Sequence, residues 1–158
     1  MKQLHSILAL LLLMICSMNF TSCSDDDEAP GNTSDLIGLW EEIYNKGWEK
    51  ENGKIDYEYE YEYEEGEGGR IEFKADGTFI EYDAYDGDWE VDLIGTWEYQ
   101  GNKIYVTYYD EDDEKEYTQH IVVKELTSSR LVVEASEQET YNGTLYENYA
   151  YSINRKIK

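Results

Sequence analysis

Cysteine, proline and basic residues are all scarce in this chain of 158 residues, which holds 2 Cys, 1 Pro and 13 Lys plus Arg against 36 Asp plus Glu. Each scarcity excludes a class of protein. Both cysteines, Cys16 and Cys23, lie near the N-terminus, so the rest of the chain can form no intramolecular disulfide and no Cys-based zinc site. Its stability must come from packing. His5 and His120 are the 2 imidazoles, which leaves no His-rich metal constellation and no Cys–His nucleophile pair. A Ser–His–Asp triad lacks any G-x-S-x-G context. A formal charge of -23 and a pI near 4.2 exclude binding to nucleic acid through phosphate neutralisation and disfavour anionic membrane surfaces. Acidic chains poor in aromatics are disordered, but 15% of these residues are aromatic and 16 are Tyr, which argues for one folded domain with a modest core.

Lys2 opens a short basic region, and residues 7–15 (ILALLLLMI) form an apolar run too short to span a bilayer. The pattern predicts a signal peptide over residues 1–22. Phe20-Thr21-Ser22-Cys23 resembles the lipobox of bacterial lipoproteins, which implies cleavage before Cys23 and its acylation by palmitate-type chains. Cys16 is the competitor, but bulky Ile15 precedes it inside the apolar run. Each buried acyl methylene contributes about 0.8 kcal/mol, so several chains on one Cys anchor the protein to a membrane without spanning it. Residues 23–34 begin Cys-Ser-Asp-Asp-Asp-Glu and contain the single Pro, which reads as a solvated tether. The acidic run resembles the export tag of Bacteroidota lipoproteins, implying an outer-membrane anchor facing the cell surface. A plain periplasmic spacer is the other reading.

From Asp35 onward the chain shows period-two alternation between polar or Gly-bearing turns, which predicts short antiparallel strands. In residues 70–75 Ile71 and Phe73 share a face, Asp76-Gly77 signals a hairpin, and residues 78–85 return. Residues 95–100 and 103–109 flank Gly101-Asn102, residues 116–126 and 130–136 flank a Thr-Ser-Ser turn, and residues 144–155 close the chain. With residues 36–48 and 55–63 this makes an all-β, antiparallel up-and-down β-barrel of eight or nine strands, since closure leaves no exposed edge. The excess acid is expected on outward faces and loop tips.

Residues 56–64 read DYEYEYEYE, which puts Tyr57, Tyr59, Tyr61 and Tyr63 on one face of a strand and four Glu on the other. Such a Tyr ladder could line a cavity that grips a flat ligand or a sugar, or it could simply pack inward while the Glu face stays wet. A two-residue slip changes little in so regular a repeat, so its register is weakly specified.

Gly38-x-Trp40 (LIGLW) resembles the G-x-W signature of lipocalins, and residues 70–79 (RIEFKADGTF), 95–107 (GTWEYQGNKIYVT) and 122–134 (VVKELTSSRLVVE) resemble stretches of the lipocalin-like lipoproteins of Bacteroidota. The Tyr–Glu repeat, the acidity and the lack of a disulfide depart from that pattern. The resemblance implies a barrel with a ligand cavity but no particular ligand. Trp40, Phe73, Phe79, Trp97 and Tyr99 match its aromatic positions, and with Tyr149 and Tyr151 they either line the cavity or plug the barrel. A barrel of this size is filled by side chains or holds one small ligand.

The clusters Asp83, Asp86, Asp88, Glu90 and Asp110, Asp112, Asp113, Glu114 are candidates for calcium, with Asp86, Asp88, Asp110 and Asp112 the nearest to ligand spacing. Neither fits the D-x-D-x-D-G loop, and a solvated charge run is the expected reading. His120 is expected on a strand surface. With so many acids, chance carboxyl pairs select no glycosidase site. The expectation is a non-enzymatic, monomeric, lipid-anchored envelope protein without cofactor, which binds a small hydrophobic, aromatic or glycan-like ligand. Its rival is an interaction module whose acidic surface binds a cationic partner or divalent cations.

Overall fold

A computed structural model describes residues 31–85, 88–110 and 114–158. The expected signal peptide, Cys23 and its neighbouring acids, and the calcium candidates Asp86 and Asp112, lie outside the described residues. A helical turn, α1 (Thr33–Leu36), is followed by β1 (Gly38–Glu51), β2 (Lys54–Glu62), β3 (Arg70–Phe73), β4 (Thr78–Tyr85), β5 (Asp88–Gln100), β6 (Lys103–Asp110), β7 (Lys115–Leu126), β8 (Arg130–Tyr141) and β9 (Thr144–Lys156). The strands pair antiparallel in the order β2-β1-β3-β4-β5-β6-β7-β8-β9, and β1 pairs with β9 to close the barrel.

Both β2 and β3 use the same edge of β1: β2 pairs with Tyr44–Glu51 and β3 with Gly38–Glu41. They act as one long strand interrupted at residues 63–69, so eight walls close the barrel and β2 is an extension. The chain stays on β1 across the interruption, where the Tyr63 amide donates to Ile43 and the Glu42 amide to Gly69. β4 pairs with β3, and β2 has no second strand partner among the described residues, which leaves a seam in the wall between β2 and β4. Two strands outrun the sequence reading. β5 starts at Asp88, seven residues before Gly95, and β8 continues to Tyr141. Their acidic ends pair with neighbouring strands while alternate carboxylates reach water, so the ladder overrides the low β-propensity of Asp and Glu.

One end of the barrel is closed and apolar. Leu36, Trp40, Phe73, Ile104 and Leu131 are fully buried there, joined by Phe79, Trp97, Val106, Val123 and Leu126. The Phe73 ring lies 5.4 Å from Phe79 and meets Trp97 edge-on at 5.3 Å, the offset geometry that aromatic quadrupoles favour. Trp40 explains the G-x-W motif. Its indole N–H donates to the Leu36 carbonyl at 2.7 Å, and the Lys156 ammonium sits 4.8 Å over its ring while donating to the Asp35 carbonyl. Gly38 has φ +140°, and a Cβ there would strike the Lys158 carbonyl. Only Gly lets the C-terminus lie across the start of β1.

Candidate functional site

Toward the other end, the inward rows of the strands turn from apolar to polar. Along β1 the row begins at Trp40 and continues with Glu42; along β4 Phe79 is followed by Glu81; along β7 Val123 and Ile121 lead to Gln119; along β8 Leu131, Val133 and Ala135 lead to Glu137. Together with Asn45, Tyr59, Ile71, Val106, Ala150 and Ser152 they enclose a cavity of about 120 Å³. Engineered dry cavities of about 150 Å³ admit benzene, so this space suits one small molecule.

A β-bulge builds part of the wall. Glu42 pairs with Asn154, but Tyr44 pairs with Ile153, so Ile43 is an extra residue. Residues three apart in a regular strand face opposite sides; the bulge returns Asn45 to the face of Glu42. Asn45 Nδ2 then donates to Glu42 Oε2 at 2.9 Å and to the Tyr63 hydroxyl at 3.0 Å, while its Oδ1 is buried without a partner. A second bulge on β5, where Leu93 pairs with Glu81 and Val91 with Tyr82, leaves Asp92 as the extra residue. Gly47 is required by close approach, because the Tyr59 ring lies where its Cβ would be.

Four carboxyls border the cavity, and one of them, Glu134, is paired with the Lys124 ammonium at 3.1 Å. Glu42 is 7% exposed, and burial pushes it up to about 7 against the lowering hydrogen bond from Asn45. Glu81 is 4% exposed; burial, with the charges of Asp92, Asp83 and Glu42, pushes it up to about 8. Glu137 rises to about 7 through burial and the neighbouring Glu139. Glu81 accepts no hydrogen bond and joins no ion pair among the described residues. No Lys or Arg lines the space. These acids are the exceptions to an excess charge that otherwise lies largely on outward faces and loop tips. Their signal was in the sequence, since each lies in register with the apolar row of its own strand.

The aromatic candidates divide into three groups. Trp40, Phe73, Phe79 and Trp97 plug the closed end, and Tyr99 packs against them with its hydroxyl buried and unpartnered. Within the Tyr ladder, Tyr59 lines the cavity and Tyr63 binds Asn45. Tyr57 and Tyr61 are 40% and 42% exposed and join their hydroxyls at 3.2 Å. The ladder rings follow one another at 5.9, 6.1 and 6.4 Å. Tyr149 and Tyr151 have the opposite parity to Ala150 and Ser152, and of the two only Tyr151 borders the cavity. Tyr149 stacks on Trp48 at 5.8 Å, and Tyr151 meets Tyr44 edge-on. A shallow open groove of about 570 Å³ lies beside that outer aromatic pair, bordered by Lys46, Glu58 and Glu60. His120 stands on the outer parity of β7, 6.0 Å from the Tyr105 ring, and also borders the cavity. Asp88 and Asp110 join no metal-binding cluster among the described residues.

Eight antiparallel walls closed on themselves, an aromatic plug over the first strand and a small cavity beyond it define a lipocalin-type barrel. Residues 36–133 match the family model described as lipocalin-like domain. The chain belongs to that family. Among solved structures it is similar to insecticyanin from the tobacco hornworm Manduca sexta, with a TM-score of 0.58 and 14% identity, covering 85% of this chain and 69% of that one. It is also similar to a lipocalin-like protein from Bacteroides uniformis, with a TM-score of 0.49, 19% identity and coverage of 78% and 99%. An uncharacterized protein from Bacteroides eggerthii gives 0.46, 17%, 77% and 99%. No curated protein matches the chain.

Proposed function

We propose that this is a non-catalytic, lipid-anchored envelope protein of a Bacteroidota-type cell, which binds one small molecule inside its barrel. The observation that carries the reading is the cavity of about 120 Å³ between the aromatic plug and the seam at β2. Its size favours a single compact ligand over a chain of sugars, and it is more enclosed than the outer groove, where a ligand would keep most of its water. The anchoring half of the reading rests on the resemblance of residues 20–23 to a lipobox. A thermal-shift screen of small aromatic and aliphatic compounds tests the binding half. Stabilisation grows as RT ln(1 + [L]/Kd), so a ligand at 100 times its Kd adds about 2.7 kcal/mol. We expect hits in the wild type that disappear in Ala135→Phe, which fills the cavity. Hits that survive this substitution would place binding elsewhere. For the anchor, palmitate labelling is expected in the wild type and lost in Cys23→Ala.

A further inference from the structure

Resting on the reading of the cavity as a small-molecule site, we propose that its ligand is an organic ammonium ion with a compact apolar body, held by the Glu81 carboxylate as counter-ion. The argument starts from which atoms of the wall lack partners. Glu81 is 4% exposed, borders the cavity and accepts no hydrogen bond among the described residues. Asn45 Oδ1, on β1 in the cavity lining, is buried and also without a donor. Both are acceptors. A carboxylate bordering an apolar space without a counter-charge is costly, and the group that matches it is a cationic donor with no acceptor of its own. An ammonium has up to three N–H donors and no lone pair to place. A carboxylate ligand would instead set charge against charge once Glu81 is ionised.

The rest of the wall fixes the body of the ligand. Ile71, Phe79, Val106 and Ile121 supply an apolar lining, with Ile71 directly across from Glu81, and the Tyr59 ring borders the space from β2. The volume of about 120 Å³ accommodates one ring or a short alkyl chain. A divalent metal ion fits less well, because no three acidic side chains converge on one point among the described residues.

Binding exchanges a proton for the ligand. The titratable groups that line the cavity or act on Glu81 are Glu42 from β1, Tyr59 from β2, Asp83 from β4, Asp92 from β5, His120 from β7, Glu134 and Glu137 from β8 and Tyr151 from β9; no Lys or Arg lines the space, and Lys124 is engaged by Glu134. Burial and the acids of this set push the Glu81 carboxyl up to about 8, so near neutral pH it holds its proton. The entering ammonium stabilises the carboxylate; the carboxyl O–H bond breaks, the proton leaves to solvent, and the ion pair with the ligand replaces it. Affinity for a cation therefore rises with pH, and affinity for a neutral compound of the same shape does not.

Calorimetry on the full chain in non-ionic detergent, with 2-phenylethylammonium, 2-phenylethanol and phenylacetate as probes, tests this. We expect the ammonium to bind at least about tenfold tighter than the alcohol at about pH 9, with the advantage shrinking toward about pH 6. Glu81→Gln, a near-isosteric change, should remove about tenfold from the ammonium affinity and leave the alcohol unchanged. Alcohol binding with no preference for the ammonium, or a preference insensitive to both pH and Glu81→Gln, overturns the assignment of a cation and leaves the small-molecule cavity standing. Phenylacetate binding tightest likewise overturns it. Failure of all three probes overturns both. The wild-type pH series decides the matter by itself if the variant does not fold.

Discussion

Glu41 and Glu42 are adjacent on β1, both are buried at 1% and 7% exposure, and they live under opposite electrostatics. Glu41 points outward between its two cross-strand partners, Arg70 on β3 and Arg155 on β9. Arg70 donates from Nη2 at 2.8 Å and Nε at 3.1 Å to Oε1, and Arg155 Nη2 donates to Oε2 at 2.6 Å. The Arg70 guanidinium is itself stacked 4.0 Å over Trp89. Burial would raise the Glu41 carboxyl, but the hydrogen bonds and charges of the two arginines hold it below the usual range. Glu42 has only the Asn45 amide and is pushed up to about 7. One residue of strand pleat separates a structural carboxylate from a cavity carboxyl. Burial alone therefore does not mark a site; burial without a counter-charge does.

The same contrast divides the barrel interior into a dry aromatic end and an acidic end, and three measurements probe it. The largest effect is expected at the closed end. Trp40→Ala should cost about 3–5 kcal/mol in urea unfolding, because it removes a fully buried indole and empties the plug.

Next comes the pair on β1. Glu41→Gln should cost about 2 kcal/mol, less than a fully buried pair would, because Arg70 and Arg155 are 22% and 38% exposed and water screens them. Glu42→Gln, on the inner face, should change stability by less than about 1 kcal/mol. Equal losses in the two variants would erase the distinction between paired and unpaired carboxyls.

The smallest and most diagnostic effect is in pH. A carboxyl raised in the folded state, such as Glu81 from 4.5 to about 8, binds its proton more tightly folded than unfolded. Its stabilisation is complete below the unfolded pKa and is lost as pH rises through about 8. Glu41 has the opposite sign: its lowered pKa stabilises above the unfolded value, and that contribution disappears as pH falls through the folded one. One pKa unit corresponds to about 1.4 kcal/mol, reduced here by water in the open cavity. Wild-type stability should thus decline by on the order of 1–2 kcal/mol between about pH 5 and about pH 9. Glu81→Gln should flatten that decline, and Glu41→Gln should alter only the acid side. A decline unchanged in Glu81→Gln would deny that this carboxyl is buried neutral.

Much of the fold was legible because its signals are local. Period-two rows, the Asp76-Gly77 and Gly101-Asn102 turns and the G-x-W motif depend on a few neighbouring residues and survive in the structure as β3–β4, β5–β6 and the Trp40 plug. The cavity was less legible. Glu42, Glu81 and Glu137 look like three more acids in an acidic chain until the register sets them behind Trp40, Phe79 and Val133. Asn45 could not be placed inside at all without knowing of the bulge at Ile43. The Tyr ladder was read as a unit, yet it divides between Tyr59 and Tyr63, which turn into the protein, and Tyr57 and Tyr61, which remain exposed.

By itself, then, the sequence determined an antiparallel all-β domain behind an expected lipobox, and it made packing the source of stability by supplying no disulfide. Alternation and turn chemistry suffice for this because strand polarity is written residue by residue. Which carboxyls are neutralised, which face a cavity and where the wall bulges were decided only in the tertiary structure. A carboxyl's pKa depends on groups brought beside it from other strands: Arg70 and Arg155 reach Glu41 across 29 and 114 residues of chain, and among the described residues no such group reaches Glu81.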